Sequence, residues 1–389
     1  MTTKNNIPEG YKDSAVGIIP QEWCVFDFGD IAYVSKEKYT PTKSSHIACV
    51  ELEHISQGDG VLLGYTEAGL QKSTKNIFKK GNILFGKLRP YLRKYWLATF
   101  DGVCSSEIWV LLANERVCTN EYLSRIIATN KFIQCTNVSI GSKMPRADWN
   151  FVSLTPFPIP PMAEQKKIAE ILGVWDEAIE KQNVLIEKLE LRKRGLMQRL
   201  LTGKTRLPGF TEPWQKVKLG EISTIKKGVQ VNKNTLQEYG KYPTINGGIE
   251  PSGYSDNYNT EANTITISEG GNSCGYVNFI TTKFWSGGHC YTITPLNNIK
   301  NLYLYHQLKY FEPRIMIQRV GSGLPNIQFN MLIKFECFLP TLLEQTAIAE
   351  VLNTADKEIA IHSKTLDALR LQKRGLMQQL LTGKTRVKI

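Results

Sequence analysis

PPMAEQKKIAEILGVWDEAIEKQNVLIEKLELRKRGLMQRLLTGKTR at residues 160–206 returns as PTLLEQTAIAEVLNTADKEIAIHSKTLDALRLQKRGLMQQLLTGKTR at residues 340–386. The copies align without a gap at an offset of 386 − 206 = 180, and about half of the paired positions are identical. From Lys193 to Arg206 only Arg199, which becomes Gln379, differs. The match reaches upstream, where Gly141, Ser142, Pro145 and Asn150 return as Gly321, Ser322, Pro325 and Asn330. The chain is a duplication, and its repeated element fixes the rest of the reading.

Ile168, Leu172, Trp175, Ile179, Gln182, Ile186, Leu189, Lys193, Leu196 and Leu200 alternate steps of four and three, the a/d rhythm of a coiled-coil seam. The second copy gives Ile348, Leu352, Ala355, Ile359, His362, Leu366, Leu369, Lys373, Leu376 and Leu380. The spacing predicts a long helix from about 162 to 201 and its mate 180 residues on. Both seams turn polar at Gln182/His362 and Lys193/Lys373. Such layers either fix register at a cost in stability or mark places where the seam opens to water. Pro160, Pro161 and Pro340 stand at the starts, Thr341 with Glu344 forms a capping-box pattern, and Gly203 and Gly383 stand at the ends. Gly195 and Gly375 make a kink possible inside the pattern.

A length of 389 residues allows two or three domains. No apolar run approaches the roughly 18 residues of a membrane span, so a soluble, cytoplasmic protein is expected. Eight scattered cysteines without a CxxC pair argue for reduced core thiols and against a zinc site or disulfide framework. The formal charge of +12 makes a polyanion the first partner to consider, although lysines also serve solubility.

In the first unit, Asn82 to Trp96 runs an apolar strand into a Gly-centred turn carrying Lys87, Arg89, Tyr91, Arg93 and Lys94. These cations and aromatics suit phosphate and groove contacts; the alternative is a solvated turn whose aromatics close the core. Glu121 to Gln134 reads as a helix, followed by a second basic loop with Ser142, Lys143 and Arg146. Its counterpart carries Ser322 and Asn326. Trp214 and Gly220-Glu221-Ile222 echo Trp23 and Gly29-Asp30-Ile31 at an offset of 191. Between these anchors the two interiors scarcely align. The second is rich in Asn and Gly: Asn246, Asn272 and Ser273 lie in loops able to approach bases or simply to turn, with Lys226, Lys227 and Arg319 as basic candidates.

Catalytic motifs are missing from the pattern. The triplets Gly203-Lys204-Thr205 and Gly383-Lys384-Thr385 lack the earlier glycine of a phosphate loop, where Gln198 and Gln378 stand, and they follow a helix instead of opening one. Pro160-Pro161 lacks the preceding Asn or Asp of an amino-methyltransferase tetrapeptide. The five histidines form no HxxxH or HExxH pair.

Gly10-Tyr-Lys-Asp-Ser14, Ile19-Pro-Gln-Glu-Trp23, ILFGKLRPYLR at 83–93, PPxxEQxxIA at 160–169, Leu207-Pro-Gly-Phe210, Phe284-Trp285 and the two KRGLMQ-LLTGKTR endings together resemble the specificity subunits of type I DNA restriction-modification systems. The resemblance covers nearly the whole chain. It implies an α/β (α+β) fold with two globular recognition domains and two long helices packed as an antiparallel coiled coil, a pseudo-two-fold internal repeat. The expected boundaries are 1–157 and 207–337 for the recognition domains, and 158–206 and 338–389 for the helical spacers. It further implies a subunit without catalysis of its own, each recognition domain reading one half of a bipartite asymmetric DNA target. Two modification subunits, carrying S-adenosylmethionine and methylating adenine N6, would dock on it, and restriction subunits driven by ATP and Mg would join. Basic repeat flanks such as Arg192-Lys193-Arg194 and Lys373-Arg374 are candidates for docking partners. Base-reading residues do not transfer by motif, so those named rest on charge and loop position. The alternatives are an orphan subunit without active restriction partners or a non-catalytic coiled-coil adaptor.

Overall fold

The computed structural model describes residues 7–138, 144–321, 323 and 325–389, with Lys233 described by its backbone alone. Ser142, Lys143 and Ser322 lie outside the described residues. The chain forms two compact units: the first runs through Lys181 and resumes over Leu366–Ile389, the second is Gln182–Thr365.

Unit 1 is built on a four-stranded antiparallel sheet in the order Tyr95–Leu97, Ile83–Gly86, Ile108–Ala113, Ala32–Val34. Its two middle strands, ILFG and IWVLLA, are covered on both faces, and the side chains sort with period two. Ile83, Phe85, Trp109 and Leu111 enter the main core with Phe132. Leu84, Ile108 and Val110 enter a second core with Val50, Phe78 and Trp96. That second core lies under a mixed five-stranded sheet ordered Lys38–Tyr39, Lys75–Phe78, Gly102–Cys104, Ala48–Val50, Thr66–Glu67. Where one helix was expected from Glu121 to Gln134 there are two, Asn120–Ile127 and Asn130–Thr136. Thr129 causes the break: its hydroxyl accepts from Phe132 N as an N-cap and donates to Ile126 O, closing one helix while opening the next.

Unit 2 repeats the four-stranded sheet as Val277–Ile280, Thr264–Ser268, Cys290–Pro295, Ser223–Lys227. The register is the same pair for pair. Tyr95↔Phe85 becomes Val277↔Ile267, Ile108↔Gly86 becomes Cys290↔Ser268, and Leu111↔Val34 becomes Ile293↔Ile225. Three of the four strands share an offset of 277 − 95 = 182, a correspondence hidden in the sequence, where these interiors scarcely align. The difference lies beside the sheet. Unit 2 carries a three-stranded sheet, Tyr254–Ser255, Tyr242–Ile245, Trp285–Ser286, in place of five strands.

Each unit also has a two-stranded element joining its beginning to its end. Cys24–Asp27 pairs with Pro156–Ile159, and Gln215–Lys218 pairs with Glu336–Leu339, with Ile159↔Cys24 answered by Leu339↔Gln215. Here the offset of 191 meets the offset of 180 in one sheet.

The two long helices are Met162–Leu200 and Leu342–Leu380, 39 residues each and about 58 Å long at ~1.5 Å per residue. They continue through Gly195 and Gly375. All the named seam positions are buried or half-buried, whereas Val174, Leu191, Ile361 and Leu371 on the other faces are exposed. Helix Gly203 and Gly383 follow the ends with φ of 68° and 72°, the left-handed backbone a C-terminal glycine supplies. All eight cysteines are free thiols; seven are buried and Cys24 is exposed.

Candidate functional site

Glu164 and Glu344, near the helix starts, have completely buried carboxylates. In unit 1, Arg386 donates from Nε to Glu164 Oε1 at 2.8 Å and from Nη2 to Oε2 at 3.1 Å, while Trp23 Nε1 donates to Oε2 at 2.9 Å. Unit 2 repeats the set: Arg206 donates to both oxygens of Glu344 at 2.6 and 2.7 Å, and Trp214 Nε1 donates to Oε2 at 3.2 Å. The terminal arginine of each TGKTR motif is thus bound to the glutamate opening the other long helix. Bidentate guanidinium pairing is what permits a buried carboxylate here. These hydrogen bonds also push both arginines above the ordinary guanidinium range. The expected capping box is half present: the Thr341 hydroxyl accepts from Glu344 N at 3.4 Å, but the Glu344 carboxylate goes to Arg206, a stronger charge-assisted partner than a backbone N–H.

The polar seam layers have partners. Within unit 2, Gln182 Nε2 lies 2.9 Å from His362 Nδ1 and donates to His362 O at 2.9 Å, and Lys193 pairs with Asp356. Within unit 1, Lys373 pairs with Asp176, which also takes Arg125. These pairs run antiparallel along the two helices in each unit. At the place corresponding to Arg125, unit 2 has His306, 1% exposed, 3.9 Å from Asp356, with both ring nitrogens lacking a hydrogen bond. Burial holds its imidazole down at about 4, outweighing the attraction of Asp356, with Lys193 adding to the depression.

The basic loop of unit 1 closes on the second loop where the sequence put its candidates. Leu88 bridges Arg146, Arg89 N donates to Pro145 O at 2.8 Å, and Ala147 N to Lys87 O at 2.9 Å. Arg146 is held flat by Glu107, with Nε and Nη2 at 2.9 and 3.2 Å from its two oxygens. Arg89 and Arg93 take left-handed φ of 52° and 53° on either side of the single turn Pro90–Leu92. Arg93 donates to Asn130 Oδ1, Lys94 Nζ to Leu52 O, and the Tyr91 ring is half exposed.

In unit 2 one candidate, Lys227, contacts the buried Glu269. Lys227 Nζ and Tyr291 Oη donate to Glu269 Oε1 at 2.6 and 3.0 Å, and His289 Nδ1 lies 3.4 Å from Oε2. Burial alone would raise this carboxyl, but the Lys227 and Tyr291 hydrogen bonds prevail and hold it below its ordinary range. Asn246 Oδ1 accepts from His289 N, the Ser273 hydroxyl donates to Gly247 O, and Asn326 bridges Gly270. Asn272 is exposed on the same Gly-rich turn, Lys226 precedes Lys227 on its strand, and Arg319 follows the helix Glu312–Ile317. Glu107, Glu269 and Tyr291 were not among the sequence candidates. An acidic side chain among cations gives no signal in composition, and its contact with Arg146 or Lys227 appears only in the structure.

Among the described residues no group of three or more His, Cys, Asp or Glu side chains could hold a metal ion, and no helix is long and apolar enough to cross a membrane.

A duplicated frame with two sets of polar loops agrees with comparisons to known proteins. The type I restriction enzyme MjaVIII specificity subunit of Methanocaldococcus jannaschii is 28% identical over 322 residues, covering 74% of this chain and 75% of that protein. The crystal structure of a type I restriction-modification S subunit from M. genitalium matches with a TM-score of 0.64 at 18% identity, covering 98% of both chains. A chain from a structure of type I restriction-modification complex assembly matches with a TM-score of 0.58 at 21% identity, covering 94% of this chain and 99% of that one. These two structures bear on the fold. The sequence profile of the type I restriction modification DNA specificity domain matches twice, over residues 20–191 and 211–371, and with both repeats accounted for the chain belongs to the type I restriction-modification specificity subunit family.

Proposed function

We propose that each unit reads one half of a bipartite, asymmetric DNA sequence, and that the chain delivers this recognition, without catalysis of its own, to modification and restriction subunits. The observation that carries this reading is the pairing of one sheet register with two different sets of exposed polar loops. A duplicated reader of two different half-sites requires that combination. The charge of +12 favours a polyanion and supports Lys87, Arg89, Lys226 and Arg319 as phosphate contacts, with Arg93 and Lys94 exchanging their present acceptors, Asn130 and Leu52, for phosphate.

The recognition domains span 1–157 and 207–337, with 158–206 and 338–389 as spacers. Gln182 with His362, and Lys193 and Lys373 with their aspartates, fix the register of the helix pair. Two modification subunits dock on the repeat. Leu191 and its repeat mate Leu371 support this, being 62% and 63% exposed: one apolar anchor presented twice suits two copies of one partner. S-adenosylmethionine, ATP and Mg then belong to the partner subunits.

The test is a genome-wide map of N6-methyladenine in cells expressing the chain with its modification subunit, against cells lacking the chain. A two-part motif with a fixed gap, present only with the chain, is the expected result; a soluble, partner-bound chain that produces no motif would overturn the reading in favour of an orphan subunit or adaptor. Exchanging residues 215–320 for those of a relative should change one half-site only.

A further inference from the structure

The four-stranded sheets share an offset of 182, and the loops that close on them share the repeat offset of 180. Where sheet and loop meet, the same backbone joint occurs in both units. Lys87 N donates to Glu107 O at 2.9 Å, as Glu269 N donates to His289 O at 2.9 Å. Ala147 N donates to Lys87 O at 2.9 Å, as Ile327 N donates to Glu269 O at 2.8 Å. Arg89 N donates to Pro145 O at 2.8 Å, as Gly271 N donates to Pro325 O at 3.1 Å. The bridge Leu88↔Arg146 is answered by Gly270↔Asn326. Arg89 and Gly271 both have left-handed backbone, with φ of 52° and 77°.

Three side chains stand on this joint in each unit, and all three differ. Unit 1 has Lys87, Glu107 and Arg146; unit 2 has Glu269, His289 and Asn326. A constant backbone under variable polar side chains is what a module needs to read different bases from one docking geometry. The arrangement within each trio separates readers from supports. Arg146 is exposed, and its guanidinium is oriented by both Glu107 oxygens, so a fork of N–H donors is pre-positioned. In unit 2 the Glu269 carboxylate is buried and occupied by Lys227 and Tyr291, and His289 turns Nδ1 to its other oxygen at 3.4 Å, leaving the exposed amide of Asn326 as the group able to present a donor and an acceptor together.

Building on the DNA-recognition reading above, we infer that this joint is the base-reading position of both units, with Arg146 reading a guanine in one half-site and Asn326 an adenine in the other. The guanidinium fork matches guanine O6 and N7, and the amide matches adenine N6 and N7. Glu107 is a positioning residue acting through Arg146.

The experiment is the N6-methyladenine map of the chain co-expressed with its modification subunit, carried out for wild type, Arg146→Lys, Glu107→Gln, Glu107→Asp and Asn326→Ala, with the salt dependence of DNA binding measured on each complex. Arg146→Lys keeps the charge and loses the fork. It should relax preference at one G·C pair of one half-site by about tenfold or more while the salt slope stays the same. Glu107→Gln should relax the same pair, with recovery in Glu107→Asp. Asn326→Ala should relax one A·T pair in the other half-site. Unchanged motifs with occupancy lowered at all sites alike would overturn the inference and leave these residues as phosphate or scaffold groups. A wild-type map without a chain-dependent motif would overturn the underlying recognition reading, and the inference with it. Should Arg146→Lys fail to fold, Glu107→Gln carries the same test for that half-site.

Discussion

The two four-stranded sheets agree in register but differ in what they bury. On one face both use large apolar groups: Phe85 and Trp109 in unit 1, Ile267 and Tyr291 in unit 2. On the other, Leu84 and Val110 of unit 1 correspond to Thr266 and Thr292 of unit 2. The apolar face supports a five-stranded sheet over a closed core; the threonine face lies beside a smaller sheet with little core of its own. One face keeps the frame, and the other varies with the smaller sheet packed beside it.

The latches test whether that frame is equivalent in both units, and they carry the largest expected effect. Arg386→Ala and Arg206→Ala each strand a buried glutamate with one indole N–H for company, and each should cost roughly 3–5 kcal/mol in chemical denaturation. A large loss in one unit and a negligible loss in the other would break the equivalence.

The sites facing Asp176 and Asp356 should distinguish the units by pH. An unfolded histidine takes up a proton below about 6.5, whereas folded His306 resists until about 4, so the unfolded state binds more protons between these values. Stability contributed by unit 2 is therefore full above pH 6.5 and falls as pH drops toward 4, by at most about 3 kcal/mol. His306→Gln should flatten that slope in pH-dependent denaturation. Persistence of the full slope would assign it to other groups.

Arg89 and Gly271 compare the same left-handed position with and without a side chain. Arg89→Gly should stabilise unit 1 by roughly 1 kcal/mol in thermal unfolding while weakening DNA binding, and Gly271→Ala should destabilise unit 2 by a similar amount. No larger is Thr129→Ala: loss of the cap between the paired helices of unit 1 should cost about 1 kcal/mol.

The sequence made the long helices legible because their seam repeats at a fixed period and the duplication prints it twice. It also located the loops around Lys87 and Arg146, and around Asn246 and Asn326, since turn residues and cations mark them. The common sheet was not legible, because Leu84 and Thr266, or Glu107 and His289, share a backbone position without sharing chemistry. Nor was the latch: Glu164 reads as an ordinary acidic residue at a helix start, and its partner stands 222 positions away.

That separation has a consequence for synthesis. Unit 2 is one continuous stretch ending at Thr365, whereas unit 1 needs Arg386 and the rest of Leu366–Ile389 to close over Glu164. A chain emerging from the ribosome at about 5–20 residues per second can therefore complete the later-made unit first. The earlier-made unit lacks the arginine partner of Glu164 until residues 366–389 are made. Its closure reports that translation has passed Arg386, so a truncated product is left with an open first unit for proteases to find.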